Sequence, residues 1–293
     1  MRTVPALVGA GAAAGAYALV ESRRYHLEER RVPVADHIPR VSILHISDTH
    51  LRASHRRLIR FLAALPDRIG ALPDLVLATG DLIEDDGGIE PLVEALGRLE
   101  AKVGRYYVLG SHDLYRSTIS GALGSWRMFA GRERKRSTAR RNDHHRLEAG
   151  LREKGWKSLL NSVDVVDVPS GRVRLAGVHD PYLGLHTTSH LRREAGDAFA
   201  VGLVHSPDVV SEWVLSGFDL VVAGHTHAGQ VRLPWVGSVV TNCSLPNALS
   251  GGLHRVGNAW LHVSPGLGTS RFAPVRFLAR PAATLLHLDP EVA

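Results

Sequence analysis

Residues 41–51 read VSILHISDTHL, and this stretch decides how the rest of the chain is read. A short β-branched, apolar run stops abruptly at Asp48-Thr49-His50. An extended backbone alternates its faces with a period of two, so Asp48 and His50 are expected on the same side at the carboxyl end of a strand. A hard carboxylate beside an imidazole there is half of a metal site. Alone, Asp-x-His is equally an ordinary capping or turn pattern. The other half has to come from elsewhere in the chain.

Working outward, four more apolar runs end in polar, chemistry-bearing residues. Residues 74–78 (DLVLA) end in Thr79-Gly80-Asp81, and 105–109 (RYYVL) end in Gly110-Ser111-His112-Asp113. Residues 199–204 (FAVGLV) end in His205, and 219–223 (DLVVA) end in Gly224-His225-Thr226-His227. Between them, helical spacing covers 52–69, with Leu58, Leu62 and Leu65 on one face, then 89–99 and 147–155, the last closed by Gly155. Residues 163–168 and 172–178 form a β-pair across Pro169-Ser170-Gly171. Ser206-Pro207-Asp208 opens a helix running to about Leu215, and 282–288 closes the chain as a strand. Alternating strands and helices predict an α/β fold, in which ligands gather beyond the carboxyl ends of the strands.

The strand ends follow the order D-x-H, G-D, G-N-H-D/E, H and G-H-x-H, with Ser111 in the Asn position. In this the chain resembles the calcineurin-like metallophosphoesterase superfamily over about residues 41–288. Residues 224–230, GHTHAGQ, with the apolar N-terminal segment, resemble its bacterial membrane-associated or exported phosphodiesterase branch. The resemblance implies a four-layer α/β/β/α sandwich and two divalent cations (Mn, Zn, Fe or Mg). Asp81 would bridge them; Asp48, His50 and His227 would complete the first site, and His205 and His225 would hold the second. His112 would protonate the leaving alkoxide and Asp113 would orient His112. Two cations about 3.5–4 Å apart clamp a phosphoryl group and lower the pKa of a bound water from about 15.7 to about 7. The implied activity is therefore hydrolysis of a phosphodiester, phosphomonoester or pyrophosphate by a metal-activated hydroxide. Ser111 is a weaker, shorter ligand than an Asn amide, so the second site is expected to bind its cation more loosely.

Composition fits a globular body: 44% of 293 residues are hydrophobic and 22% charged. The one cysteine, Cys243, excludes an intrachain disulfide and a cysteine-rich zinc site, and reads as a buried thiol. Net charge is +6, and 127–146 carries all of it, with eight basic residues against Glu133 and Asp143. The high pI therefore describes one segment, a basic insertion at about 121–146, and no recognition helix for specific nucleic acid is evident. That insertion reads either as a solvated loop or as a patch attracting an anionic substrate or an anionic membrane surface.

Residues 4–20 are uncharged and apolar on all sides, at the short end of what spans a bilayer. They read as a membrane anchor, or as a signal peptide cleaved after Ala14-Gly15-Ala16 or Ala16-Tyr17-Ala18. Arg23, Arg24, Arg30 and Arg31 on the carboxyl side favour a cytoplasmic body by the positive-inside rule. Membrane association and export both stay open at this point. Residues 21–40, with Pro33 and Pro39, read as a linker or edge segment, so the division is 1–40 and a catalytic domain over 41–293. The leading reading is a phosphoesterase acting on a phosphorylated small-molecule or lipid substrate, in a lipid or cell-envelope setting. A soluble nucleotide or phosphoprotein phosphatase is the first alternative. A catalytically weak metal-binding scaffold for protein partners is the second. Of the remaining polar residues, His45 reads as packing or support, and His254 and His262 as structural. Glu84, Asp85 and Asp86 follow Asp81 and suggest metal, but Asp85 and Asp86 run into Gly87-Gly88 and read more simply as loop solvation; His179-Asp180-Pro181 ends a strand, with support at the site rim as its less favoured reading.

Overall fold

The computed structural model describes residues 3–117, 140–169 and 171–290, with side chains from residue 11 onward. Two six-stranded sheets form its centre. The first contains β1 (His26–Val34), β2 (Ser42–Ile46), β3 (Leu75–Thr79), β4 (Gly104–Val108), β5 (Lys157–Ser158) and β14 (Ala282–Pro290). Their order is β1-β14-β2-β3-β4-β5, with β2, β3, β4 and β5 parallel and β14 antiparallel to β2. The second sheet holds β6 (Ser162–Val168), β7 (Gly171–Gly177), β8 (Phe199–Leu203), β9 (Leu220–Ala223), β12 (Gly252–Val256) and β13 (Ala259–Val263). It runs β12-β13-β9-β8-β7-β6, parallel from β13 to β7 and antiparallel at both edges.

Side-chain alternation builds the layers. In β2 and β3, Ile43, Leu75 and Leu77 face inward and pack with Val173, Leu175, Phe199, Val201 and Val222 of the second sheet. Leu44, Ile46, Val76 and Ala78 face outward under Leu58, Leu62, Leu92, Leu96, Leu147 and Leu151. Those leucines belong to the helices Arg56–Ala63, Ile89–Gly97 and His144–Glu153. On the far side, Ala176, Ala200, Val221 and Ala223 pack under Val210 and Trp213 of the short helix Val210–Leu215. The order is helix, sheet, sheet, helix, the four-layer sandwich expected from the sequence. The fourth layer is thin: Trp213, fully buried, does much of its covering.

Several details differ from the sequence reading. The helical stretch 52–69 is two helices, Arg56–Ala63 and Leu65–Ile69, because Pro66 opens a new first turn. Residues 21–40 contribute an edge strand: β1 pairs in parallel with β14 along its whole length. Cys243 is half-buried, not buried. Thr3–Glu21 is a helix, and among the described residues no helix is long and apolar enough to cross a membrane. Most of the basic insertion, 118–139, lies outside the described residues.

Candidate metal centre

The strands β2, β3, β4, β8 and β9 end at one edge of the sandwich, and their loops meet there. Asp48 and His50 do not lie on extended backbone, as strand alternation would have it. β2 stops at Ile46, and both residues sit at positive φ, 49° and 40°. Asp81, His225 and His227 share this left-handed conformation, at 51°, 70° and 52°. Backbone of this kind costs a non-glycine residue about 1–3 kcal/mol and persists where the surroundings over-determine it. Here the surroundings are hydrogen bonds between the loops. Asp48 N donates to Gly80 O at 3.0 Å, His50 N to Asp81 O at 2.9 Å, and Gly224 N to His205 O at 2.9 Å. His225 N donates to both carboxylate oxygens of Asp48, at 3.0 and 3.1 Å. Two glycines permit the approach. A Cβ on Gly224 would collide with Ser47 Oγ and Asp48 Oδ2, and one on Gly110 with Asp81 Oδ1.

The loops bring ligand atoms within 4.8 Å of one another in three overlapping groups: Asp48, His50 and His227; His50, Asp81 and His112; Asp48, Asp81 and His205. Asp48, His50 and Asp81 each belong to two of them, and Asp81 Oδ2 lies 3.6 Å from His50 Nε2 and 3.2 Å from His205 Nε2. His225 stands beside His205, ring centroids 5.2 Å apart. Ser111 is half-buried at the first turn after β4, between Gly110 and His112, whose amide donates to Asp81 Oδ1 at 2.8 Å.

Three imidazoles have one nitrogen occupied by an acceptor, and in His50 and His205 the other faces Asp81; His225 joins none of the three groups. His50 Nδ1 meets Glu84 Oε2 at 3.2 Å, His205 Nδ1 meets Thr79 O at 2.7 Å, and His225 Nε2 meets Asn242 O at 3.1 Å. A carbonyl or carboxylate only accepts, so each of those nitrogens carries the proton and leaves the other with its lone pair. His205 Nε2 is consequently a bare, buried nitrogen with no hydrogen-bond partner, 3.2 Å from Asp81 Oδ2. Two buried lone pairs facing each other at that distance call for a positive charge between them. Burial lowers the pKa of His205, but the carboxylates of Asp81 and Asp48 outweigh it and hold that pKa well above the ordinary imidazole range. Burial likewise raises the pKa of Asp81, but His205, His112 and His50 overcome this and hold it well below the ordinary carboxylate range. The site is built to accept cations, and the mixed N/O ligands suit Mn, Fe and Zn.

Around these ligands lies a set of supports that sequence reading missed or misplaced. Glu84, to which the sequence reading gives no role, is buried and bonds His50, and its carboxylate also lies 3.7 Å from His112 Nδ1. Its position three residues after Asp81 was the available signal. Asp113 does not touch His112; its carboxylate takes the amide protons of Leu82, Ile83 and Gly110 and so fixes the Asp81 loop. Burial, reinforced by Asp81, pushes Asp113 up to about 7. His112 is partly exposed, its Nδ1 3.0 Å from Ser117 Oγ, and burial pulls its pKa down. Asp180, buried at the rim, caps the turn Pro181–Leu183 through Tyr182 N and adds to the negative field on His205. Asp85 and Asp86 brace loops as expected, Asp85 by accepting from Gly87 N and Asp86 by pairing with Arg116.

A buried chain of hydrogen bonds ends on Asp48, and its direction is fixed. Ser47 Oγ donates to Asp48 Oδ2 at 2.5 Å, and Thr79 Oγ1 donates to Ser47 Oγ at 2.8 Å. Thr79 has spent its only proton, so it accepts from His45 Nε2, also at 2.8 Å. His45 Nδ1 then accepts from His262 Nδ1 at 2.8 Å. This leaves His262 Nε2 a bare lone pair, and that atom is buried with no partner. Burial, followed by the neighbouring histidine, holds His45 well below its usual pKa; burial brings His262 down to about 3. Both rings are neutral at physiological pH. On the other flank, Arg276 is wholly buried. It donates to Gly266 O, Gly268 O and Ala279 O, and its Nη2 lies 3.2 Å from His227 Nδ1.

A four-layer sandwich with carboxylates and imidazoles converging on a shared Asp81 defines a metal-dependent hydrolase of phosphoric esters. The family model described as calcineurin-like phosphoesterase matches residues 41–229, and the chain belongs to that family. Its members use a dinuclear divalent metal centre, and the residues here fit one. The chain is 27% identical over 223 residues to "Uncharacterized metallophosphoesterase YkuE" of Bacillus subtilis, covering 74% of this chain and 68% of that one. It is 26% identical over 252 residues to "Transmembrane protein with metallophosphoesterase domain" of Danio rerio, covering 85% and 52%. It is 28% identical over 145 residues to "Phosphodiesterase YaeI" of Escherichia coli, covering 50% and 52%.

Proposed function

We propose that the protein hydrolyses a phosphodiester whose leaving group is an alkoxide, on a substrate presented at a lipid or cell-envelope surface. The observation that carries the chemistry is Asp81 Oδ2, 3.6 Å from His50 Nε2, 3.2 Å from His205 Nε2 and 4.0 Å from His112 Nε2. When bound, two cations supply Lewis acidity to the phosphoryl group and acidify the attacking water. Asp48, His50 and His227 would hold one and His205, His225 and Ser111 the other, with Asp81 common to both. His112, its Nε2 4.0 Å from Asp81 Oδ2, would give a proton to the departing oxygen, and Glu84 holds His50 and faces His112 Nδ1. A diester carries a single negative charge against the two of a monoester, so it needs fewer additional cationic side chains, and its alkoxide leaving group takes a proton. The phosphodiesterase name of the Escherichia coli relative supports the same class.

The surface setting is supported by the N-terminal helix, whose described side chains from Gly11 to Tyr17 are all exposed although the segment bears no charge. The transmembrane name of the Danio rerio relative points the same way.

The test is hydrolysis of bis-p-nitrophenyl phosphate and of p-nitrophenyl phosphate with Mn, Zn, Fe or Mg, using Asp81→Asn as the control. The diester should turn over faster, and only with added cation. Preference for the monoester would move the reading to a phosphatase. Absence of turnover with every cation would favour a scaffold.

A further inference from the structure

Among the described residues, a group of exposed apolar side chains lies at a hairpin that takes no part in the ligand groups. Strands β10 (Arg232–Leu233) and β11 (Gly237–Ser238) form a hairpin whose loop is Pro234-Trp235-Val236. Trp235 is fully exposed and Val236 is 69% exposed, and Leu233 beside them is exposed as well. Trp235 also has a positive φ of 63°, a conformation rare for a bulky residue and found where structure over-determines it. A tryptophan held in strained backbone at the tip of a projecting loop gains nothing from the fold.

The hairpin does not stand alone. Arg232 N donates to Phe277 O and Phe277 N to Gln230 O, which lays the strip 271–278 along its base. That strip exposes Phe272 and Leu278. The end of the N-terminal helix docks on the same strip. Tyr17 packs edge-on against Phe277 at 5.6 Å, Arg276 N donates to Ala18 O, and Leu278 N donates to Glu21 Oε2 at 2.7 Å. Beyond that contact the helix exposes Leu19 and Val20. Hairpin tip, strip and helix end are therefore one connected apolar face. Arg23, Arg24, Arg271 and Arg280 are exposed around it, while the helix's one acid, Glu21, is buried.

Two observations choose the occupant. The helix is apolar all round, whereas a helix made for a protein groove has one apolar face. The cationic surround matches anionic headgroups, and a projecting Trp with apolar neighbours suits the water–hydrocarbon boundary. We propose that the hairpin tip at 233–236, with Phe272, Leu278 and the helix end, docks the protein on an anionic bilayer surface. This deepens the lipid-surface reading above and rests on it for the nature of the substrate. The face is coupled to the metal centre through short links. Ser238 Oγ donates to Ala228 O, next to His227, and Arg276 within the strip meets His227 Nδ1. A docked hairpin thus holds the His227 loop against the surface that carries the substrate.

The test uses the full chain and a Trp235→Ala/Val236→Ser variant, with vesicles of phosphatidylcholine alone or with one third phosphatidylglycerol. Partitioning onto the anionic vesicles should fall about tenfold or more in the variant, as interfacial binding scales with buried apolar area. Brominated acyl chains should quench wild-type tryptophan emission beyond any quenching of the variant, even if the helix alone keeps both proteins bound. Equal quenching of the two proteins at saturating lipid would overturn the proposal and leave the face to a protein partner. Hydrolysis of soluble bis-p-nitrophenyl phosphate should be unchanged in the variant. If neither protein hydrolyses the diester but Trp235 is quenched, the esterase reading fails and the docking stands.

Discussion

The two halves of the metal centre are built to different standards. Around Asp48 and His50, each ligand has a dedicated buried side-chain partner: the chain from His262 through His45, Thr79 and Ser47 onto Asp48, and Glu84 on His50. Around His205 and His225 the partners are main-chain carbonyls, Thr79 O and Asn242 O, and the remaining ligand position is a serine. Side-chain supports fix ligand orientation, and their loss usually costs 10–100-fold in metal affinity or activity. The first half-site is therefore preorganised for a tightly held cation. The second is shaped for one that binds more weakly.

The sharpest way to break this comparison is to remove what the halves share. Asp81→Asn should abolish binding at both, with a loss of turnover exceeding the roughly 100-fold upper range for supporting residues. A variant that keeps one cation at wild-type affinity would show that Asp81 is not common to both. Next in size is Glu84→Gln, expected to lower kcat/KM by about 10–100-fold and to weaken only the tighter cation. Equal weakening of both cations would erase the asymmetry. Thr79→Val is nearly isosteric and cuts the chain to Asp48 in the middle. Roughly a tenfold weakening of the first cation is expected, at the low end of such effects, read by metal titration with the melting temperature as a control for folding. Thr79 O, which serves His205, is untouched by this change, so the second cation should not respond. Smallest is Ser111→Asn, which supplies an amide oxygen and should tighten the second cation severalfold; an order of magnitude is about 1.4 kcal/mol.

The order of the ligand motifs was legible because each follows an apolar strand and Asp, His and Gly recur there in a fixed sequence. The four-layer arrangement was implied by the resemblance those motifs carry, and in the fold alternate residues such as Leu44 and Val76 do face the helical layer. The supports were not legible, for physical reasons. His45 and His262 are 217 residues apart and meet only because β2 and β13 face each other across the inter-sheet core. Glu84 sits in an acidic run whose neighbours Asp85 and Asp86 do stabilise loops, so composition gave no reason to separate it. The left-handed backbone at Asp48, His50, Asp81, His225 and His227 has no periodic signature. Alternation along a strand put Asp48 and His50 on one side, whereas the structure brings their ligand atoms together through left-handed backbone. Trp235 offered no motif at all; its interest comes from exposure and strain, which only the folded chain reveals.

The most direct test of the asymmetric dinuclear centre is calorimetric titration of metal-stripped protein with Mn²⁺, run in parallel on wild type, Ser111→Asn and Asp81→Asn. Two sites of distinct affinity are predicted in the wild type. The weaker one should tighten in Ser111→Asn while the stronger stays fixed, and both should be lost in Asp81→Asn. A single class of site in the wild type, or two that respond alike to Ser111→Asn, would contradict the account.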